Sequence, residues 1–250
     1  MYVAATTDCF PDLPLADAVA RLVELQYTRI EITLHEQGMQ LKPSEVAADL
    51  ERAIARCHEI QRLTPVAYSI DLPPGGARYY TDFAACCKLA KATKVATVSV
   101  PASELGTPFN EEIERLRELV RLAAVESVRV GIRTQVGRVT QDPDTTKVLC
   151  DNVKGLGVAL DPSHYLCGPH GGASFDQLFK YVYHVYLRDT SKENMQVRVG
   201  QGQIAYSRLI SQLNRVGYQN AVSVDIKPMP DVDHDAEMRK MRLLLESLLF

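Results

Sequence analysis

Asp161 and His164 lie in the segment GLGVALDPSHYLCG, residues 155–168, directly after a run of small and apolar residues. A carboxylate and an imidazole three positions apart can move protons, hold a metal ion or hydrogen-bond a polar ligand. Each also has a structural alternative, because a strand-end Asp often caps the next helix and a loop His often bonds only the backbone. A catalytic or ligand-binding role for these two residues is indicated only if further polar side chains converge on the same place.

Other polar residues stand at the ends of apolar runs, at the two-residue spacing of a β-strand. They are Glu31 in RIEITL, Arg133 and Gln135 in VRVGIRTQ, Tyr186 and Arg188 in HVYLRD, and Asp225 and Lys227 in AVSVDIK. Taken singly, Tyr186 could fill the core and Arg188 could pair with its neighbour Asp189. If their strand faces all point the same way, these carboxylates and cations lie within reach of one small polar ligand.

The polar residues belong to a repeating pattern of short β-rich runs and amphipathic segments. The strand candidates are 2–7, 29–34, 65–70, 95–100, 128–134, 156–161, 184–189 and 221–226. After each one, apolar residues recur every three or four positions, which is typical of a helix. Eight βα units in 250 residues predict an α/β fold, a single (βα)8 TIM barrel over residues 1–250.

An open doubly wound sheet is the alternative fold. It would need a glycine-rich phosphate fingerprint after its first strand, and TTDCFPDLP has none. In a TIM barrel the strands end at one mouth, where active sites form, so the barrel also explains why polar residues end the strands.

Composition narrows the classes of partner. The chain has 28 Lys and Arg, 31 Asp and Glu and a formal charge of −3, without a basic cluster, so we expect no nucleic-acid partner. No segment has the roughly 18 apolar residues of a membrane span, and MYVAATTDCF is unlike a secretory signal. We expect a cytoplasmic protein with reduced cysteines and a small-molecule ligand, and a homo-oligomer is compatible with the sequence.

Two glycine-bearing loops allow further hypotheses. The glycines around Gln201 in VGQGQIAY, residues 199–206, could hold a phosphate, although such turns are usually only turns. The segment PHGG at 169–172 could form a mobile lid after the sixth strand.

The phrases GVALDPSHYLCG, HVYLRD and GQGQIAYSRLISQLNRVGYQNAVSVDI together resemble the second half of the xylose-isomerase-like TIM barrels. This family contains sugar isomerases and epimerases and also endonuclease IV, and the likeness extends more weakly over the full chain. The resemblance implies a divalent-metal enzyme. Its ligands would be a Glu ending strand five, the Asp of a D-P-x-H phrase, the His of an H-x-H-x-K/R-D phrase, and a Glu ending strand eight. The two Glu would also serve as acid and base, and the D-P-x-H His would touch substrate.

Only part of this ligand set matches. Asp161 and His164 fit the D-P-x-H phrase, whereas Arg133 replaces the first Glu, Tyr186 the ligand His and Asp225 the second Glu. A guanidinium is charged at every working pH and should repel a metal ion. We therefore expect no bound cofactor and predict that Arg133 pairs with Asp161 or Asp225 in the cation's place. The alternative is a Mn or Mg ion held by Asp161 and Asp225.

Two functional hypotheses follow. The first is an isomerase or epimerase of a small carbohydrate or keto-sugar, in which Arg133 polarises a carbonyl, Asp225 or His164 moves the proton, and Asp161 replaces the missing carboxylate. The second is a catalytically inactive barrel that binds a polyhydroxylated or anionic ligand. In either case the predicted substrate-binding residues are Gln135, Tyr186, Arg188, Lys227 and Glu31.

Overall fold

The computed structural model describes residues 1–60, 62–73 and 75–249. Within them, eight parallel strands close into a barrel in sequence order, so the predicted TIM barrel is confirmed. The strands are β1 (Tyr2–Thr6), β2 (Arg29–His35), β3 (Thr64–Asp71), β4 (Thr97–Val100), β5 (Arg129–Arg133), β6 (Leu156–Leu160), β7 (Val182–Leu187) and β8 (Ala221–Val224). Every predicted strand overlaps one of them.

Helices cover the outside of the barrel. They are α1 (Leu15–Glu24), α2 (Pro43–Ala48), α3 (Leu50–His58), α4 (Tyr79–Ala92), α5 (Phe109–Val125), α6 (Pro143–Asn152), α7 (Pro162–Leu166), α8 (Tyr206–Arg215) and α9 (His234–Leu249). Short 3-10 turns lie at Thr7–Cys9, Val139–Gln141 and Asp176–Tyr181. None of the helices in the described ranges combines the length and the hydrophobicity of a transmembrane span.

The spacing of apolar residues decides which face of each helix is buried. In α1, Leu15, Ala18, Val19 and Leu22 recur at the three- and four-residue spacing of one helical face, and all four are buried. The alternating apolar residues Ile30, Ile32 and Leu34 of β2 are also buried in the core. The apolar core therefore includes both helix and strand faces and holds the strand ends in place.

Candidate active site

Arg188 links two aspartates at the carboxyl ends of the strands. Its Nη2 donates to Asp161 Oδ2 and to Asp225 Oδ2, both at 2.7 Å. The other oxygen of Asp161 accepts the Ser163 N–H at 2.9 Å and caps α7, so the structural alternative for Asp161 also holds. The Asp161 side chain is 4% exposed and that of Arg188 12%. Charge-assisted hydrogen bonds in such a site fix all three side chains.

Arg133 pairs with neither of these aspartates, so the predicted pairing is wrong. Its Nη2 donates to Asp71 Oδ2 at 3.2 Å, and Asp71 is the last residue of β3. The strand register explains the difference. In the ladder between β5 and β6, Arg133 lies opposite Ala159, which is two residues before Asp161. In the ladder between β7 and β8, Leu187 lies opposite Val224, so the next residues, Arg188 and Asp225, are at the same level. The charge that lies between the aspartates belongs to Arg188.

Lys227 supplies a second cation to Asp225. Its Nζ lies 3.0 Å from Asp225 Oδ1, donates to the Asp8 carbonyl at 2.9 Å and contacts the Asp8 carboxylate. Burial alone would raise the pKa of Asp225, but the charges of Arg188 and Lys227 lower it to about 2. Asp225 is therefore ionised at neutral pH and is a weak proton acceptor in this arrangement.

His164 is positioned as a hydrogen-bond donor. The Val136 N–H donates to its Nδ1 at 3.1 Å, so the neutral ring carries its proton on Nε2. That nitrogen lies 3.6 Å from Asp161 Oδ2. Burial lowers the pKa of His164, although the charge of Asp161 opposes the shift. His164 can donate from Nε2, whereas its Nδ1 is occupied and does not accept a substrate proton.

Glu31 and Tyr186 lie deeper, inside the barrel, and have partners of their own. Glu31 Oε2 is 2.7 Å from His184 Nε2, and the Tyr186 hydroxyl donates to Glu31 Oε1 and lies 2.6 Å from Ser99 Oγ. Because β2, β4 and β7 are not neighbours, these bonds cross the interior. All four side chains are buried. Substrate contact by Glu31 and Tyr186 stays a prediction.

The loop between β7 and α8 is built around Asp189. Gly200 and Gly202 donate their N–H groups to Asp189 Oδ2 at 2.8 and 2.9 Å. The hypothesis that these glycines hold a phosphate is therefore wrong, since the Asp189 carboxylate takes their donors. The Tyr206 hydroxyl donates to the Arg188 carbonyl at 3.0 Å, so the same loop holds the backbone of Arg188.

Sequence reasoning missed three residues around the mouth. Asp71 ends its strand in the same way as the polar residues singled out above, and the strand period would have identified it. Asp8 follows β1 and had no distinguishing pattern. Gln196 bonds both the backbone N–H and the carbonyl of Lys227, at 2.8 and 2.6 Å, and no sequence signal marks it. Gln135 lies half-buried in the turn after β5.

The donor set does not fit the divalent ion that the sequence resemblance implies. No group of three His, Cys, Asp or Glu suited to a metal occurs in residues 1–60, 62–73 and 75–249. The two aspartates at the matching positions bond a guanidinium, whose positive charge opposes a cation there.

Comparisons with known proteins identify the family. A family model described as xylose isomerase-like TIM barrel matches residues 19–246, and the chain belongs to this family. Among solved structures, an L-ribulose 3-epimerase has a TM-score of 0.77 and 15% identity over 100% of this chain and 96% of its own. A family member from Mycobacterium smegmatis in complex with magnesium has a TM-score of 0.77 and 16% identity, covering 100% and 98%.

A third structure, the probable 3-DHS dehydratase AsbF from Bacillus anthracis, has a TM-score of 0.74 and 17% identity, with 99% of both chains covered. A search of curated protein sequences found no match. At these identities the structural likeness shows the shared fold.

Proposed function

We propose that the barrel mouth binds a small sugar-like molecule and isomerises or epimerises it next to a carbonyl group, without a divalent metal. The observation that carries this proposal is the Arg188 Nη2 held 2.7 Å from both Asp161 and Asp225. A fixed guanidinium can stabilise an oxygen that becomes negative during the reaction, which is the electrostatic role of a metal ion. The L-ribulose 3-epimerase that shares this fold supports the choice of substrate.

Proton transfer needs a carboxylate that is released from Arg188. When a substrate carbonyl accepts an N–H from Arg188, the guanidinium turns away from one aspartate, and the basicity of that aspartate rises. The freed carboxylate removes the proton next to the carbonyl, and the electron pair of the broken C–H bond forms an enediolate. Arg188 and the Nε2–H of His164 stabilise its oxygen. In isomerisation the freed aspartate gives the abstracted proton to the former carbonyl carbon, and the hydroxyl proton of the enediolate passes to the other oxygen, so that the carbonyl forms one carbon along. In epimerisation a water molecule protonates the original carbon from the opposite face, and the aspartate releases the abstracted proton to the resulting hydroxide.

Binding without turnover is the second candidate function. It is favoured by the low pKa of Asp225, about 2, because a carboxylate held by two cations is a weak base until a substrate moves those cations. The two candidates share a binding site and differ in whether a C–H bond is broken.

Solvent deuterium exchange separates them. Metal-depleted protein is incubated with 2-keto-sugars in heavy water containing a chelator, and loss of the C–H signal next to the carbonyl is followed by proton NMR. The proposal predicts exchange that Arg188→Met slows by about 100-fold or more, while the surface variant Arg121→Met is unchanged. A thermal shift without exchange would indicate a binding protein. Exchange that requires added manganese would refute metal independence.

A further inference from the structure

Arg133 has the weakest internal partner of the three cations at the mouth. Arg188 and Lys227 each contact two carboxylates. Arg133 has one hydrogen bond of 3.2 Å to Asp71, whose side chain is 39% exposed. Ion pairs with a water-exposed partner are weak. Arg133 can therefore exchange this partner for a ligand at small cost.

One edge of the Arg133 guanidinium is only half used. The Nη2 hydrogen bonds to Asp71, whereas Nε is buried without a hydrogen-bond partner in the described part of the chain. The Nε–H and one Nη–H of an arginine point in parallel and match the two oxygens of a carboxylate. Because Nε is buried, a ligand carboxylate reaches this edge only by taking the place of the Asp71 side chain, and it would then satisfy Nε and replace the single bond from Asp71 by two.

A polar cavity adjoins the Asp71 side of this ion pair. It has a volume of about 160 Å³ and is lined by Asp71, Tyr79, Ser103, Thr107 and Arg138, among others. A backbone hydrogen bond from Val139 N–H to the Ser103 carbonyl, at 3.0 Å, joins the loops that follow β4 and β5 and makes a fixed wall. Its mixture of donors and acceptors suits a chain of hydroxyl groups.

We infer that the ligand is a polyhydroxylated carboxylic acid, a sugar acid or its keto form, and that its carboxylate displaces Asp71 from Arg133. Arg133 is then the residue that selects the substrate, and Asp71 competes with the ligand for it. This inference rests on the proposed function, because it names the substrate class of the same site.

Two substitutions with opposite effects test it. D-gluconate, 2-keto-D-gluconate, D-fructose and D-fructose 6-phosphate are titrated into the protein by calorimetry at low salt. Arg133→Gln should weaken binding of the acids by about tenfold or more, since two charge-assisted bonds are lost. Arg133→Lys keeps the charge without the two-donor edge and should also bind them more weakly than the wild type. Asp71→Asn should strengthen acid binding a few-fold by removing the competitor.

The control is Asp176→Asn, which makes the same charge change in an exposed pair with Arg208. It should leave the affinities for the acids and for neutral fructose unchanged, and the Arg133 variants should weaken binding of the acids more than binding of fructose. The inference is overturned if Asp71→Asn weakens acid binding, or if neither acid binds the wild type or Asp71→Asn at about 10 mM. An Arg133 dependence seen only for the sugar phosphate would also overturn it.

The deuterium-exchange assay keeps the two proposals distinguishable. Binding of 2-keto-D-gluconate through Arg133 without exchange of the C–H next to its keto group would refute the isomerase and leave the ligand class standing. Exchange in fructose without binding of either acid would refute the ligand class alone.

Discussion

Replacing Arg188 with methionine removes the charge between Asp161 and Asp225 and keeps a side chain of similar length. The two carboxylates are 4% and 15% exposed, and both bond the same nitrogen. Breaking a buried ion pair from one side costs about 3–5 kcal/mol, because the remaining charge is left poorly solvated. Lys227 still contacts Asp225 in the variant. We therefore expect the unfolding free energy to fall by about 3 kcal/mol at neutral pH, the lower end of that range.

The pH dependence of this loss has a definite sign. In the wild type, burial would raise the pKa of Asp225, but Arg188 and Lys227 lower it from 3.8 to about 2. A depressed carboxyl pKa stabilises the native state above about pH 4, and this contribution, about 2 kcal/mol, is lost as the pH falls towards 2. In Arg188→Met the two carboxylates repel, which raises the pKa of one above its unfolded value. The variant should therefore recover stability as the pH falls from 7 towards about 4, a range in which the Asp225 contribution of the wild type does not change.

Urea denaturation followed by circular dichroism at pH 7, 6 and 5 measures both effects. Arg121→Met is the control, because Arg121 pairs with Glu118 on α5 and is 62% exposed, and it should change stability by less than about 0.5 kcal/mol. Arg188→Lys keeps the charge and should retain most of the stability if the methionine variant does not fold. A loss below about 1 kcal/mol, with the pH profile of the wild type, would refute the buried ion pair.

Three further outcomes are expected. Gly202→Ala would place a Cβ 1.9 Å from Asp189 Oδ1, so we expect a loss of about 2 kcal/mol and faster hydrogen exchange in residues 190–205, measured by mass spectrometry. Manganese should leave the Tm of the wild type unchanged in scanning fluorimetry, because a guanidinium lies between the two aspartates. A rise with the logarithm of its concentration would contradict this. Glu31→Leu should cost about 3 kcal/mol in thermal melts by leaving the buried His184 unpaired, whereas Glu31→Gln keeps an acceptor and should cost less.

The barrel was predictable because its signals are local and repeated eight times. Alternating strand residues and helical faces can be read over ten or fifteen positions, and no long-range contact is needed to identify them. The cap that Asp161 forms on α7 is equally local, since the residues D-P-S contain both the acceptor and the donor. Convergence of the strand ends then follows from the fold.

Partners at the mouth depend on strand register and side-chain reach, which no local pattern encodes. Matching Arg133 to a Glu position identified an unusual residue, but an arginine extends further than a glutamate and reaches Asp71 across the mouth. The Glu31–His184 bond joins residues 153 positions apart and has no sequence signal of its own.

At the positions where the sequence resemblance implies metal ligands, the residues of this chain together favour an ion pair. Tyr186 turns its hydroxyl to Glu31 and Ser99 inside the barrel, so it supplies no imidazole at the mouth. Asp225 is one methylene shorter than the Glu it replaces, and Arg133 contributes positive charge. The two aspartates bond one guanidinium, whose positive charge opposes a cation at the same place. Arg188 lies in the phrase HVYLRD, which fits the family except at Tyr186. Because Arg133 bonds Asp71 and Tyr186 bonds Glu31, Arg188 is the arginine that bonds both Asp161 and Asp225.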